Sequence, residues 1–164
     1  MPYAYYAQLR RKQQAIYRRS DAIAAIKLPA AADFAPLVAA LKSALATEKR
    51  AGTERAAQAL VTALLAAFKV RGVRVKVLTT RPSTRSSELH GLYELGDRRT
   101  APVVKVWMRT AQQRRVVAFR TFLRTLLHEL CHHLDYVLLG LEDSFHTEGF
   151  FKRESSLFKQ LVAV

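Results

Sequence analysis

The sequence predicts an α+β fold with N-terminal helices, a small sheet of about three strands, a long helix and a C-terminal helix. Apolar residues recur at helical spacing before residue 72 and after residue 110, whereas between them apolar and charged residues alternate, as in half-buried strands. The chain has 164 residues, half of them hydrophobic, which suits one domain with its own core. We therefore expect a single domain over 1–164, with a basic helical part at 1–72.

The first 72 residues are expected to form three helices. One helix is predicted over 3–27, and it ends at Leu28-Pro29 because the residue before a proline disfavours helical backbone. An Ala-rich helical hairpin follows, with helices over 34–50 and 53–70 and a turn at Ala51-Gly52. Tyrosines and arginines share the first helix, and we interpret the tyrosines as core residues beneath a basic face.

The middle of the chain predicts three strands. Val73, Val75 and Val77 alternate with basic residues, 89–95 could form a second strand, and 103–109 alternates again. Residues 79–88 are rich in Ser and Thr and predict a mobile loop. A turn is expected at 96–99, which reads Gly-Asp-Arg-Arg.

A long helix is predicted to begin near Thr110, where Gln113 completes a pattern typical of a capping box, and to end at Gly140. Its apolar residues recur at helical spacing and indicate a largely buried helix. After an acidic loop, Phe150, Leu157 and Leu161 indicate a C-terminal helix with one buried face.

The long helix carries the motif His128-Glu129-Leu130-Cys131-His132. Positions i and i+4 lie on the same helix face, so His128 and His132 can bind one zinc ion together. Glu129 lies beside that face, where it can act as a general base towards a water activated by zinc. The motif therefore predicts two metal ligands and the base of a zinc hydrolase.

A catalytic zinc needs a third protein ligand and an open position. His146 lies just before the C-terminal helix and is the preferred candidate, with Glu154 second and Glu148 third. Cys131 and His133 point away from the ligand face by helical phase. We therefore interpret Cys131 as a small buried hydrophobic residue and His133 as a packing or half-exposed residue.

Three further residues are candidates for supporting roles. Asp135 lies close to His132 on the helix and could hold a ligand imidazole by its second nitrogen, or form a surface cap or ion pair. Tyr136 and Arg153 are candidates for stabilising an oxyanion. We expect the third strand to be the sheet edge that pairs with an extended substrate.

These residues resemble the SprT-like zinc metallopeptidases, the family that includes Spartan. The resemblance covers roughly 73–160 and rests on the motif helix, on His146 fourteen residues after His132, and on Phe150 followed by basic residues. It implies a zincin-like peptidase domain over 73–164, with zinc held by the three histidines. The family usually has Gly directly after the third histidine, whereas here Thr147-Glu148 precede Gly149. The single cysteine excludes from this sequence the four-cysteine zinc ribbon that many members carry.

The net charge is +14, and it is unevenly distributed. Residues 1–72 contain 12 Lys or Arg and 4 Asp or Glu, residues 73–127 contain 12 and 3, and residues 128–164 contain 3 and 6. A basic remainder suits nucleic acid, bound through backbone contacts because no base-reading motif is visible. Neither a signal pattern nor a membrane-spanning stretch is visible, so we expect a cytoplasmic protein.

The resulting hypothesis is a zinc-dependent endopeptidase with one Zn²⁺ per chain, acting on protein or peptide substrates, proteins associated with DNA among them. One alternative is a basic nucleic-acid-binding module whose metal is structural or absent. A second alternative is another zinc hydrolase, such as an amidase.

Overall fold

The computed structural model describes residues 1–83 and 88–162. Within them the chain forms five α-helices and a three-stranded mixed sheet, so the predicted α+β class is confirmed. A short 3-10 segment, Ala4–Gln8, precedes the first helix. The elements in chain order are α1 Arg11–Asp21, α2 Ala35–Ala46, α3 Arg50–Phe68, β1 Arg74–Thr80, β2 Gly91–Glu94, β3 Val103–Arg109, α4 Phe119–Val137 and α5 Glu148–Val162.

The sheet has the strand order β1-β3-β2, with β3 parallel to β1 and antiparallel to β2. Our expectation that the third strand forms the edge was wrong, because β3 is hydrogen-bonded on both sides. The free edge beside the motif helix belongs to β2, the shortest strand. The predicted loop at 79–88 lies partly outside the described residues, and β1 extends to Thr80 at its start.

One hydrophobic core joins the helices to the sheet. Its members lie between Ile26 and Leu161 in the chain. They come from α2, α3, α4 and α5 and from the strands β1 and β3. Leu126, Leu127 and Leu130 of α4 are completely buried in it. The core therefore fixes the motif helix between the sheet and α5.

The first helix is shorter than predicted, since α1 ends at Asp21 rather than near Lys27. The following residues give their carbonyl groups to side chains of α5 instead of to a helix: Ile23 accepts from Arg153, and Ile26 accepts from Gln160. Burial of Tyr17 confirms the interpretation of that tyrosine as a core residue.

The turn of the helical hairpin also differs from its prediction. It lies at 47–49, where Glu48 has a positive φ of 60°, and Gly52 is inside α3. Thr53 explains the shift, because its buried hydroxyl donates to the Lys49 carbonyl and stabilises the first turn of α3.

The motif helix begins at Phe119, not at Thr110. Residues 110–115 form a turn closed by a hydrogen bond from the Thr110 N–H to the Arg115 carbonyl, and Val117 then donates to the Met108 carbonyl. Residues 110–117, which the capping pattern assigned to the helix, therefore make backbone hydrogen bonds with the end of β3 or close the turn that follows it. The helix ends at Val137, and Gly140 follows with a positive φ of 64°.

Candidate metal centre

Three imidazole rings converge beside α4. His128 and His132 extend from the same face of α4, as their i,i+4 spacing requires, and His146 reaches them from the loop before α5. The Nε2 atom of His146 lies 3.1 Å from Nε2 of His128 and 2.9 Å from Nε2 of His132. Ligand atoms of all three residues lie within 4.8 Å of one another, so the group could hold a metal ion.

The outer nitrogens of two rings are bound to protein groups. Nδ1 of His128 lies 2.6 Å from Oε1 of Glu154, and Nδ1 of His132 lies 2.7 Å from Oγ of Ser144. Ser144 in turn donates to Oδ2 of Asp135 at 2.7 Å, so its oxygen accepts from the imidazole. Both Nδ1 atoms therefore carry the proton, and both Nε2 atoms keep a free lone pair.

The electrostatic surroundings of His132 and His146 favour the neutral form of both rings. Burial lowers the pKa of His132 to about 3, and the neighbouring His146 and His128 add to that shift. Burial and the neighbouring His128 likewise lower the pKa of His146. Neutral imidazole is the form that coordinates metals, so the ligand atoms are ready to bind at neutral pH.

This arrangement fits a bound cation. The Nε2 atoms of His128 and His132 each lie about 3 Å from Nε2 of His146, a spacing that suits neighbouring ligands of one small cation. Three imidazole nitrogens with an open fourth side are the donor set of a catalytic zinc site. The oriented outer nitrogens supply the supporting hydrogen bonds that such ligands usually have.

Glu129 lies next to this group in the wall of the same cleft. The residue is 7% exposed, and burial raises the pKa of its carboxyl group to about 7. Gly91 of β2 crosses directly over it: a Cβ at position 91 would lie 2.8 Å from Thr125 Cγ2 and 3.1 Å from Glu129 Oε1. The missing side chain of Gly91 therefore lets the strand edge approach the carboxylate.

The cleft opens on the β2 side of the histidines as a cavity of about 360 Å³. Its wall opposite the rings consists of Gly91, Leu92, Tyr93 and Leu95, and Tyr136 and Ser144 close it. Tyr93 stacks on His132 with ring centroids 6.4 Å apart, and its hydroxyl donates to Nδ1 of His133. The free edge of β2 thus borders the metal ligands.

The loop that carries His146 is anchored by the N-terminal part of the chain. The Tyr5 hydroxyl donates to the His146 carbonyl at 2.6 Å, and Oδ1 of Asp21 accepts from the Gly149 N–H at 3.0 Å. Ser20 and Thr147 share a buried hydrogen bond. A Cβ at Gly149 would lie 2.5 Å from the Asp21 carbonyl oxygen, so only glycine permits this contact.

The structure assigns different surroundings to the two alternative ligands. Glu154 contacts the outer nitrogen of His128 and also lies 3.3 Å from Arg124, so it faces the back of a ligand ring. Glu148 pairs with Lys152 and with the N-terminal amino group, outside the histidine group. His146 is the residue that the structure brings to His128 and His132.

The supporting candidates are also placed by their contacts. Asp135 reaches His132 only through Ser144, and its other oxygen accepts from Arg153 at 3.0 Å. Arg153 is completely buried and also donates to the carbonyls of Ser20 and Ile23, so it lies behind the site and not in the cleft. Tyr136 lines the cleft, with its hydroxyl 3.4 Å from Asp143.

The remaining motif residues have structural contacts. His133 is 1% exposed and donates through Nε2 to the Arg71 carbonyl, which makes it a packing residue and not a half-exposed one. Cys131 is fully buried, as predicted, and burial raises the pKa of its thiol well above the usual value.

Several residues of the site could not be recognised from the sequence. The roles of Ser144, Tyr5 and Gly91 depend on contacts between elements far apart in the chain, and none belongs to a short motif. Glu154 was recognised as a possible ligand, but its orienting contact depends on how α5 packs on α4.

Comparisons of the chain with protein-family models, with curated proteins and with solved structures found no match. The resemblance to SprT-like peptidases therefore stays a prediction. Among the described helices, none combines the length and the apolar character needed to cross a bilayer.

Proposed function

We propose that the protein is a zinc-dependent metallopeptidase that hydrolyses peptide bonds, with Glu129 as the general base. The observation that carries the proposal is the convergence of three imidazole Nε2 atoms beside a buried carboxylate in one open cleft. His128, His132 and His146 would hold the zinc ion. Bound there, zinc would supply Lewis acidity, which polarises a carbonyl group and lowers the pKa of a water molecule.

Glu129 is suited to move a proton. A carboxyl group with a pKa of about 7 is nearly balanced between its two protonation states at neutral pH, which favours general acid–base catalysis. Its carboxylate would accept a proton from the attacking water, and the resulting acid would return it to the leaving amine. Gly91 keeps the space in which this carboxylate sits.

The edge of β2 is the proposed binding surface for the substrate backbone. An extended peptide can add to a free sheet edge through main-chain hydrogen bonds, and this edge runs beside the histidines. Tyr136 is the candidate for stabilising the oxyanion, since its hydroxyl lines the cleft and has only a long contact with Asp143. Arg153 is no longer a candidate for that role because it is buried behind the site.

A zincin-like fold of the SprT type is part of the proposal. Its support is the order of a small sheet, a motif helix and a C-terminal helix, with the third histidine between the two helices. Gly149 is separated from His146 by two residues, and its backbone packs directly against the end of α1.

The decisive experiment replaces the base and keeps the ligands. Glu129→Gln should bind one zinc per chain like the wild type, because Glu129 lies outside the histidine group. Hydrolysis of casein or of a histone should fall by about 10² to 10⁴, the usual contribution of a positioned acid–base group. Zinc content by atomic absorption and cleavage by gel electrophoresis measure the two effects, with Glu148→Gln as the matched control. Wild-type turnover by Glu129→Gln would contradict the assigned role.

A second candidate function is binding of nucleic acid, favoured by the net charge of +14. It is compatible with a peptidase that acts on DNA-associated proteins. A gel shift that weakens steeply between low and physiological salt would support backbone-directed binding. Salt-sensitive binding without any proteolysis would favour a binding module in place of the enzyme.

A further inference from the structure

The cleft does not end at Glu129. Beyond Gly91 and Glu129 it continues into a second cavity of about 300 Å³, whose far wall includes Arg124 and Thr125. Arg124 and Thr125 also line a third cavity of about 230 Å³, which ends at Arg120. These two adjoining cavities, together called the groove here, lie between the proposed base and Arg120 and share Arg124 and Thr125 in their lining.

Both arginines are held in place by one aromatic ring. The guanidinium carbons of Arg124 and Arg120 lie 4.2 Å and 4.9 Å from the centroid of Phe158, which is 3% exposed. The two residues are separated by one turn of α4, so the helix places both side chains over the same ring. Their charged groups are preorganised at the end of the groove.

The charges in this groove are only partly compensated. Arg124 pairs with Glu154 at 3.3 Å, and its side chain stays 44% exposed. Among the described residues, no carboxylate lies within ion-pairing distance of Arg120. Two neighbouring like charges with one partner between them favour an added anion.

We propose that this end of the groove is a subsite for an acidic side chain of the substrate, Asp or Glu, bound by Arg120 with help from Arg124. The inference rests on the proposed peptidase function and states which side chain the peptidase would prefer in its substrate. The cavity on the other side of Glu129, beside the histidines, has no Lys or Arg among its described lining residues, and Leu92, Tyr93, Leu95 and Tyr136 give it apolar and aromatic surface. A substrate would place an acidic residue on one side of the cleaved bond and an apolar one on the other.

A single carboxylate fits this groove better than a nucleic-acid backbone does. The groove is lined by Glu129 and Glu154 as well as by the arginines. A chain of phosphates that passed through it would meet these carboxylates at close range, whereas one side chain could reach Arg120 and stop there. Guanidinium groups bind carboxylates in paired hydrogen bonds, which adds geometric selectivity.

The test uses fluorescent peptides in which one Glu is moved along an otherwise neutral sequence, each matched by a peptide with Gln at that position. Binding is measured by fluorescence anisotropy on zinc-loaded Glu129→Gln, and cleavage is measured on the wild type. One position should show about tenfold tighter binding with Glu than with Gln, the size expected for a hydrogen bond to a charged group. Arg120→Glu should reverse the preference at that position in favour of Lys.

Arg55→Glu is the matched control, since it changes the net charge equally on an exposed residue of α3, away from the cleft. Equal affinity for Glu and Gln at every position, or equal effects of Arg55→Glu and Arg120→Glu, would overturn the subsite. It would also be overturned if Arg120→Glu weakened binding of a DNA duplex and left peptide binding unchanged. Selective binding of the Glu peptide without cleavage by the wild type would support the subsite and refute the proposed hydrolysis.

Discussion

The three candidate metal ligands in this protein are positioned in two different ways. His128 and His132 owe their relative position to one helix, whose i,i+4 geometry would place them together in almost any surroundings. The segment that carries His146 is held by contacts with Tyr5, Ser20 and Asp21, more than 120 residues away in the chain. A helix can thus supply two ligands locally, whereas the third depends on the packing of the whole molecule.

Asp135→Ala should have the largest effect on this packing. It leaves the guanidinium of Arg153 buried without its carboxylate, and breaking a buried pair typically costs about 3 to 5 kcal/mol. Urea unfolding of the metal-free variant measures the loss. Asp143→Ala, which removes a partly exposed acid from the loop between α4 and α5, is the control and should cost about 1 kcal/mol. If both variants lost the same free energy of unfolding, the Asp135–Arg153 pair would not be what holds α4 to α5.

Glu154→Gln tests how firmly the histidines of α4 are oriented for binding a metal ion. The carboxylate fixes the ring of His128, and loss of such an orienting group typically lowers metal affinity by about 10- to 100-fold. Zinc affinity is measured by competition with a chromophoric chelator. Glu148→Gln, on the same helix but paired only with Lys152 and the N-terminal amine, should leave the affinity unchanged. A larger loss than that caused by His146→Ala would identify Glu154 as a direct ligand.

The pH dependence of the zinc-free protein should separate the partly buried His132 from the more exposed His146. The pKa of His132 is lowered to about 3 in the folded state, so the unfolded chain, with a pKa of about 6.5, takes up the proton first. Stability is then present above pH 6.5 and falls as the pH drops below it, by about 1 kcal/mol between pH 7.5 and 5.5. His132→Gln should remove this part of the pH dependence of the free energy of unfolding. His146→Gln should remove less because its ring is exposed. Equal effects in urea unfolding at the two pH values would contradict this difference.

Tyr5→Phe should have the smallest effect. It removes the hydrogen bond to the His146 carbonyl, worth about 1 kcal/mol, and should weaken zinc binding roughly fivefold without unfolding the protein. Tyr3→Phe is the control, because the Tyr3 ring packs on Phe151 and its backbone N–H, not its hydroxyl, makes the hydrogen bond to Tyr17. Equal zinc affinities of the two variants would show that the N-terminal segment does not position the loop.

The same contrast explains what the sequence could predict. The motif face of α4 and the strand at 103–109 follow from local spacing, and the structure has both. The predicted start of α4 was wrong because Val117 donates a hydrogen bond to the Met108 carbonyl. A capping pattern describes only local residues and cannot indicate this contact. The edge position of β2 was missed because strand order depends on pairing partners and not on alternation. The role of Glu154 depends on the docking of α5, which no spacing rule gives.

The buried contacts of α5 also set an order of events during protein synthesis. Glu154 orients a ring on α4, and Arg153 ties that helix to residues near the start of the chain. A nascent chain that already carries His128 and His132 still lacks both contacts until α5 has left the ribosome. The Arg153–Ser20 contact spans 133 residues, so it forms late, and the Glu154–His128 contact also needs α5. We therefore expect a partly made polypeptide to bind a metal ion at these histidines more weakly than the chain that includes α5.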